Sequence, residues 1–294
     1  ENACKNLYQF TQLEECMRVL VVGDCHGVKP DVDQEIEEAD LILATGDICG
    51  DPADVRDAMF ASKKNDQDWW RILGEQKAKE KIVESLEEGR EVLEYLDSFG
   101  KPVFLVPGNW DWTGEESWEY LSENRFQEII NKFSNVRNID RELGSYNGLS
   151  FVGYGPCSAP EIPQYEDDKP DSDKDLEEIK QEYANTKETL QELFREDKNP
   201  ILFLSHNVPY DTSLDRIENP GSPVDGRHYG SLIVRELLED FEPVLSLAGH
   251  IHEGYGKENV SETLAVNAGL ESYVMVELGD GKIEDIEFSP ELDD

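Results

Sequence analysis

The sequence predicts an α/β fold with a functional site at the carboxyl ends of its strands. Five short apolar runs have the length and composition of buried strands, and Asp, Asn or His follows each of them within three residues. These runs are Arg18–Val22, Leu41–Ala44, Val103–Val106, Ile201–Leu204 and Val244–Ala248. Segments with helical spacing of apolar residues lie between several of the runs, as expected where strands alternate with helices.

The remaining elements are predicted from periodicity and from turn residues. The predicted helices are Trp69–Phe99, which stops at Gly100, together with Ser117–Phe133, Asp173–Phe194 and Ser231–Leu238. Further strands, some of them antiparallel, are predicted at Leu149–Tyr154, Thr263–Asn267, Ser272–Leu278 and Lys282–Phe288. The segment Glu161–Asp175 is rich in Asp and Pro, which is typical of a mobile surface loop. The helix Asp173–Phe194 is strongly acidic, and we favour a solvated face over a lid on the site.

The charge of the chain argues against two classes of partner. Lys and Arg number 27 and Asp and Glu 66 in 294 residues, so the formal net charge is −39. Binding to a nucleic-acid polymer or to an anionic membrane requires a basic protein surface, so neither is an expected partner. Phosphate-bearing small molecules remain compatible, because bound metal ions can invert the local field.

One domain is favoured over the two that the length allows, since no linker divides the chain. We predict a domain over residues 17–290, with an acidic insertion around residues 160–198. Residues 1–16 are polar, precede the first strand, and are interpreted as an extension outside the fold. The five cysteines are odd in number and scattered, which indicates reduced intracellular thiols. With no run of about 18 apolar residues and no visible secretory signal, the sequence predicts a cytoplasmic protein. The oligomeric state stays open.

The polar residues at the strand ends form a candidate metal site. They are Asp24, His26, Asp47, Asn109, His206, His250 and His252. Because the carboxyl ends of strands in an open α/β sheet converge on one crevice, these side chains are expected to meet. Mixed oxygen and nitrogen ligands suit Mn²⁺, Fe or Zn²⁺ better than Ca²⁺. A single histidine is more often structural, but four of the five in this chain occupy the pattern.

The order of these motifs resembles that of the calcineurin-like metallophosphoesterase superfamily. The matching motifs are Asp24-x-His26, Gly46-Asp47, Gly108-Asn109, His206 and Gly249-His250-x-His252. The segment Gly249–Gly256, GHIHEGYG, resembles the Icc-related predicted phosphoesterases. The resemblance implies a four-layer αββα sandwich, with two mixed β-sheets flanked by helices and a dinuclear metal site at the strand ends.

The resemblance also implies ligand roles, and every ligand position is present. These are Asp24, His26 and His252 for the first metal, Asn109, His206 and His250 for the second, and Asp47 bridging the two. Two divalent ions about 3.5–4 Å apart can activate a hydroxide and neutralise charge on phosphoryl oxygens. Mn²⁺ is favoured, with Fe, Zn²⁺ and Ni²⁺ as alternatives.

Trp110 departs from the family pattern. Many members have a histidine there that contacts the phosphate and can protonate the leaving group, and an indole has no proton to give in this role. Relatives without this histidine tend toward phosphodiesters, so the resemblance favours them. The candidate replacement is His228, which with Arg227 would face the phosphate as acid or charge clamp. A surface loop residue or a helix cap is the alternative interpretation of His228. Asp111 would orient a ligand histidine or cap a turn.

The sequence thus predicts a dinuclear-metal-dependent phosphoesterase that hydrolyses phosphate esters through a metal-activated hydroxide. Phosphodiesters of small nucleotides or metabolites are favoured over monoesters. The catalytic candidates are Asp47, Asn109 and His228, and the substrate-binding candidates are Asn109, Asn207, Arg227 and His228. The alternative is a non-catalytic metal-binding scaffold or a nucleotide-binding module of the same fold.

Overall fold

Two mixed six-stranded β-sheets form the centre of the computed structural model, which describes residues 16–65, 67–114, 118–170 and 172–289. Across its width the first sheet contains β12 (Lys282–Phe288), β11 (Tyr273–Gly279), β1 (Met17–Val22), β2 (Leu41–Ala44), β3 (Val103–Leu105) and β4 (Val136–Asn138). The second contains β5 (Leu143–Tyr146), β6 (Leu149–Tyr154), β7 (Ile201–Asn207), β8 (Leu245–Gly249), β10 (Thr263–Asn267) and β9 (Gly256–Val260).

Helices cover the outer face of each sheet. On the first sheet lie α1 (Asp33–Glu38), α2 (Ala53–Asn65), α3 (Trp69–Leu73), α4 (Glu75–Ser98) and α5 (Arg125–Ile130). On the second lie α6 (Asp173–Glu196) and α7 (Leu232–Phe241). A third cluster of apolar side chains fills the space between the two sheets. The predicted four-layer αββα sandwich is therefore confirmed.

Strand β1 shows why the predicted strands are apolar without alternation. Leu20 and Val22 pack with the helices, whereas Val19 and Val21 pack between the sheets. A strand that is covered on both faces needs apolar residues at every position, which produces an unbroken run in the sequence.

Parallel pairing brings the candidate site residues to one edge of the sandwich. Strands β1, β2, β3 and β4 pair in parallel, as do β6, β7, β8 and β10. The antiparallel strands lie at the margins, where β11 and β12 extend the first sheet and β5 and β9 flank the second. The carboxyl ends of β1, β2, β3, β7 and β8 therefore face the same region, as predicted.

Two predicted helices differ from the structure. The segment Trp69–Phe99 is two helices, α3 and α4, because Gly74 between them has a φ of 93°, which a continuous helix does not allow. Within the described part of the helix predicted over Ser117–Phe133, only α5 is an α-helix. A short 3₁₀ turn, Glu119–Leu121, is followed by α5, and the Asn124 side chain caps α5 by accepting from the Gln127 N–H. Ser117 itself lies outside the described residues.

The acidic segment after β6 is attached to the rest of the protein more firmly than its composition suggested. Tyr165 accepts a hydrogen bond from the His228 N–H at 2.9 Å, and Asp168 accepts one from the Tyr229 hydroxyl at 2.9 Å. Helix α6 buries Thr186, Leu190 and Phe194 and exposes its acidic side, in agreement with the predicted solvated face. The segment that was expected to be a mobile loop is thus joined to the connection between β7 and α7.

The structure does not test the predicted domain limits. Residues 1–15 and 290–294 lie outside the described residues, and a single domain over residues 17–290 stays a prediction. Within the described ranges, no helix has both the length and the apolarity needed to cross a membrane.

Candidate metal centre

The first group of candidate ligands consists of Asp24, His26 and His252. Each offers one ligand atom, and these atoms lie within 4.8 Å of one another. The Nε2 atom of His252 is 3.3 Å from Oδ2 of Asp24 and 3.3 Å from Nε2 of His26. The Asp24 carboxylate is completely buried, whereas His252 reaches the surface. The three residues come from the ends of β1 and β8, so the two sheets jointly build this group.

The second group consists of Asp47, His206 and His250. Their ligand atoms also lie within 4.8 Å of one another, and the two imidazole centroids are 4.9 Å apart. His206 is completely buried at the end of β7. Asn109 adds an oxygen to this group, because its Oδ1 lies 3.0 Å from Nε2 of His206. The structure therefore brings together all seven ligands predicted from the sequence.

Asp47 lies between the two groups. Its Oδ2 is 3.8 Å from Nε2 of His26 in the first group and 3.6 Å from Nε2 of His206 in the second. Its Oδ1 accepts a hydrogen bond from the backbone N–H of Trp110 at 2.7 Å. One carboxylate oxygen is therefore fixed by the backbone while the other faces both groups, as a bridging ligand requires.

Left-handed backbone conformations occur at three of these ligands. The φ angles are 45° at His26, 49° at Asp47 and 70° at His250. Residues other than glycine adopt this region infrequently, and such residues concentrate at functional sites. The loops also hold each other, since the His26 N–H donates to the Asp47 carbonyl at 2.8 Å and the His250 N–H donates to Asp24 Oδ2 at 2.8 Å.

The glycines in the motifs allow close approach to the carboxylates. A Cβ at Gly108 would lie 2.2 Å from Oδ1 of Asp47, and a Cβ at Gly249 would lie 2.1 Å from Oδ1 of Asp24. Neither distance is tolerable, so only a hydrogen atom fits at these positions. Turn propensity alone does not account for these glycines, because the space they leave is taken by candidate ligands.

Asp111 joins two of the ligand-bearing loops. Its Oδ1 accepts from the N–H groups of Ile48 and Cys49 at 3.0 and 2.9 Å, and its Oδ2 accepts from that of Gly108 at 2.8 Å. These bonds connect the Asp47 loop to the Asn109 loop. These bonds agree with the predicted role of a turn residue and not with the orientation of a ligand histidine, since all three are donated by backbone N–H groups.

The hydrogen bonds of the histidines leave lone pairs directed into the site. Nδ1 of His206 lies 2.9 Å from the Thr45 carbonyl, and a carbonyl only accepts, so Nδ1 carries a proton. In the tautomer that has its single proton there, Nε2 presents a lone pair 3.0 Å from Asn109 Oδ1, an atom that also only accepts. In the same way, Nε2 of His250 donates to the Ser158 carbonyl at 3.0 Å and leaves Nδ1 as its acceptor. Facing lone pairs of this kind are satisfied by a cation.

The electrostatics also suit divalent cations. Burial, together with the charges of Asp24 and Asp111, raises the pKa of Asp47 well above its usual value. Burial would raise the pKa of Asp24 too, but the hydrogen bond from His252 and the nearby imidazoles lower it. Burial lowers the pKa of His250 to about 3, so this ring is neutral near pH 7. A neutral imidazole such as that of His250, beside buried carboxylates, is a donor that Mn²⁺, Fe or Zn²⁺ binds.

Two of the predicted substrate-binding residues, Arg227 and Asn207, are bonded to other groups of the protein. Arg227 forms an ion pair with Asp167 at 2.8 Å, on a surface loop. Asn207 is completely buried and bonds the backbone at both ends of its amide, donating to the Tyr229 carbonyl and accepting from the Val208 N–H, both at 2.9 Å. The amide of Asn207 is therefore turned away from solvent and used within the fold.

Two residues of the site were not identified from the sequence. Thr45 supplies the carbonyl for His206, and its hydroxyl lies 3.3 Å from Oδ1 of Asp24. Ser158 supplies the carbonyl for His250. Backbone carbonyls carry no residue-type signal, and only the position of Thr45 directly before Gly46-Asp47 could have pointed to it.

A cavity of about 210 Å³ adjoins Asn109. Its lining is mainly apolar away from the ligands and includes Met59, Trp112, Leu121 and Pro156. The cavity offers room for a small organic group next to the candidate metal centre.

Comparisons with known proteins agree with this geometry. A family model described as calcineurin-like phosphoesterase matches residues 17–254. A protein of Methanocaldococcus jannaschii, described as uncharacterized, is 24% identical over 266 residues, which cover 87% of this chain and 90% of that protein.

Solved structures have the same fold. One crystal structure matches with a TM-score of 0.66 at 18% identity and covers 93% of this chain and 99% of its own. A crystal structure of a dimetal phosphatase from Danio rerio matches with a TM-score of 0.50 at 13% identity, again covering 93% and 99%. Because the family model spans well over half of the sequence, the chain belongs to the calcineurin-like phosphoesterase family.

Proposed function

We propose that this protein is a dinuclear-metal-dependent phosphodiesterase acting on small molecules such as nucleotides or related metabolites. Family membership and the candidate ligand groups support the broader activity, metal-dependent hydrolysis of phosphate esters. The observation that carries the proposal is the position of Asp47 Oδ2 between the two groups, 3.8 Å from His26 and 3.6 Å from His206.

The ligand roles follow from the two groups. We assign Asp24, His26 and His252 to a first divalent ion, Asn109, His206 and His250 to a second, and Asp47 to both. When bound, two divalent ions supply Lewis acidity toward the phosphoryl oxygens and activate the attacking water. The protein contributes the fixed geometry, since Asp47 is held by a backbone N–H and each buried ligand is packed against glycine or another loop.

The preference for diesters rests on charge and on Trp110. A phosphomonoester carries about two negative charges near neutral pH, because its second pKa is about 6, whereas a diester carries one. The net charge of −39 opposes the more highly charged substrate. Arg227, the cation expected to offset that charge, is paired with Asp167. The Trp110 side chain packs against Trp112, with ring centroids 6.5 Å apart, and offers no acidic proton.

We also propose Mn²⁺ as the native metal and the cytoplasm as the compartment. Members of the family typically bind two divalent metals, and the oxygen and nitrogen donors here are compatible with Mn²⁺. The described cysteines Cys16, Cys25, Cys49 and Cys157 are free thiols, as is usual in a reducing compartment. Of the substrate-facing candidates, His228 stays in the proposal as proton donor, whereas the buried amide of Asn207 and the paired Arg227 do not.

The test compares bis(nitrophenyl) phosphate with nitrophenyl phosphate as substrates of the Mn²⁺-loaded protein. We expect a higher kcat/KM for the diester. The variant Asp47→Asn should fold, since asparagine also tolerates a φ of 49°, and should lose turnover by about a thousandfold, because metal ions of this kind contribute several kcal/mol. Asp285→Asn, an exposed change on β12, is the matched control.

Each outcome bears on the proposal. A higher kcat/KM for the monoester would overturn the diester preference and leave the metal-dependent hydrolase in place. Full activity of Asp47→Asn would overturn the ligand assignment. If the protein binds two metal ions per chain but hydrolyses neither ester, the metal-binding scaffold replaces the enzyme.

A further inference from the structure

A buried aspartate and a half-exposed histidine form a pair outside the candidate metal centre. Asp215 is completely buried, and its Oδ1 lies 2.7 Å from Nδ1 of His228. The same carboxylate accepts hydrogen bonds from the N–H groups of Asp211 at 3.0 Å, Thr212 at 2.9 Å and Gly230 at 2.9 Å. With this many donors the carboxylate is fixed in position, and it therefore fixes the imidazole plane as well.

The pairing also determines which nitrogen of His228 faces outward. Because a carboxylate accepts and does not donate, Nδ1 holds a proton toward Asp215. Within the described part of the chain, Nε2 has no hydrogen-bond partner, and 28% of the side chain is exposed. The Tyr210 ring lies edge-on to the imidazole, with ring centroids 6.1 Å apart, and the backbone N–H of His228 donates to the Tyr165 hydroxyl. Asp215 and Tyr210 thus fix the ring, whereas its Nε2 atom is left without a hydrogen-bond partner among the described residues.

The loop that carries the pair contacts segments that hold two of the candidate ligands. Strand β7 ends at Asn207, directly after His206, and Asn207 donates to the carbonyl of Tyr229, the neighbour of His228. On the other side, a Cβ at Gly254 would lie 1.9 Å from the Leu214 carbonyl, so the loop packs directly on the 3₁₀ turn that contains His252. The loop therefore lies beside the segments that carry His206 and His252.

We propose that Asp215 positions His228 to donate a proton from Nε2 to the leaving oxygen of the substrate. This inference rests on the proposed phosphoesterase function. The donor is the imidazolium form of His228, which carries a proton on each ring nitrogen. As the bond between phosphorus and the leaving oxygen breaks, its electron pair stays on that oxygen, which takes the Nε2 proton and leaves the ring neutral. The neutral ring keeps Nδ1–H on Asp215 and regains a proton at Nε2 from solvent. The pair thereby supplies the proton that Trp110 cannot.

A purely structural role makes a different prediction. Asp215 ties together several backbone groups of its loop, so its loss could simply loosen the loop. A loosened loop would slow all substrates alike. Loss of a proton donor slows only the substrates whose leaving group needs the proton, because nitrophenolate departs unprotonated and a plain phenolate or alkoxide is far more basic.

The experiment measures kcat for methyl nitrophenyl phosphate and methyl phenyl phosphate with the full chain in Mn²⁺. In His228→Ala we expect the phenyl ester to slow by about 10²–10⁴-fold, the usual contribution of a positioned acid, and the nitrophenyl ester by less than about tenfold. Asp215→Asn, a positioning residue, should change the ratio in the same direction but less. Tyr229→Phe is the control, since it removes the hydrogen bond to Asp168 from the same loop and leaves the pair intact.

Two results would overturn the inference. The first is an unchanged ratio of the two rates in His228→Ala, whether both esters slow equally, which is the pattern of a loosened loop, or neither slows. The second is the same ratio change in Tyr229→Phe. If the metal-loaded wild type hydrolyses neither ester, the proposed function itself fails, which is distinct from these results.

Discussion

The backbone N–H of Trp110 lies 2.7 Å from Oδ1 of Asp47. The residue at which this sequence departs from the family pattern therefore still helps to hold the carboxylate between the two candidate ligand groups. The departure affects only the side chain, which packs against Trp112 and the first apolar cluster. Holding Asp47 is thus a role of the backbone at this position, separate from the side chain.

The variant Trp110→Ala tests that separation. Because the bond to Asp47 comes from the backbone, we expect two metal ions per chain to remain bound. Loss of the partly buried indole should lower the free energy of unfolding by about 1–2 kcal/mol. Metal analysis and thermal unfolding together check this, and a loss of metal from a folded Trp110→Ala protein would contradict it.

In the absence of metal ions, the ionised Asp47 carboxylate should lower the stability of the folded protein. In the metal-free protein, burial and the charges of Asp24 and Asp111 raise the pKa of Asp47 above its value in the unfolded chain. An acid with a raised pKa in the folded state binds its proton more tightly there, so ionising it destabilises the fold as the pH rises above the unfolded-state value. We therefore expect Asp47→Asn to be more stable than the wild type in EDTA at pH 7.

The expected difference depends on pH in a defined direction. It should shrink as the pH falls toward the usual pKa of an aspartate, about 3.9, because Asp47 is then protonated in both states. Thermal unfolding in EDTA over this range measures it. Excess Mn²⁺ should reverse the order of stability at pH 7, since only the wild type keeps the complete ligand set. A wild type that is the more stable protein in EDTA at pH 7 would contradict the prediction.

Asn109 should affect one metal more than the other. Its Oδ1 faces His206 and not the first group, so Asn109→Ala should weaken the second ion alone. We expect the Mn²⁺ concentration for half-maximal activity to rise by about tenfold or more. Asn185→Ala, on the exposed side of α6, serves as the matched control. An unchanged Mn²⁺ titration of Asn109→Ala would remove Asn109 from the ligand set.

Gly108 should be intolerant of even one methyl group. A Cβ there would lie 2.2 Å from Oδ1 of Asp47 and 2.4 Å from the Asp47 backbone nitrogen, so Gly108→Ala must displace the bridging carboxylate. We expect loss of metal and of activity. Gly221→Ala is the control, because Gly221 is exposed and its nearest neighbour would be 3.4 Å from the new Cβ. Equal metal content in both variants would mean that the Asp47 loop has room to move.

The sequence predicted the elements that have strong local signals. The buried strands β1, β2, β7 and β8 were found because apolar residues occupy both faces of each. The strand β4 was not found, since only Val136 of its three residues is apolar and its existence depends on pairing with β3. The helix predicted over Ser117–Phe133 is α-helical only at α5 in its described part, because helical spacing of apolar residues does not reveal where the chain turns.

Residue type, order along the chain and neighbouring glycines were sufficient to identify the candidate ligands. Each ligand follows a strand and has a chemical identity that metals prefer, and both properties are local. What the sequence could not provide was every relation between distant residues. His26 and His252 are 226 positions apart and meet at 3.3 Å, and Asp215 meets His228 inside a loop of no regular structure. Such distances arise from the packing of the two sheets and their loops, and only the folded protein brings these atoms together.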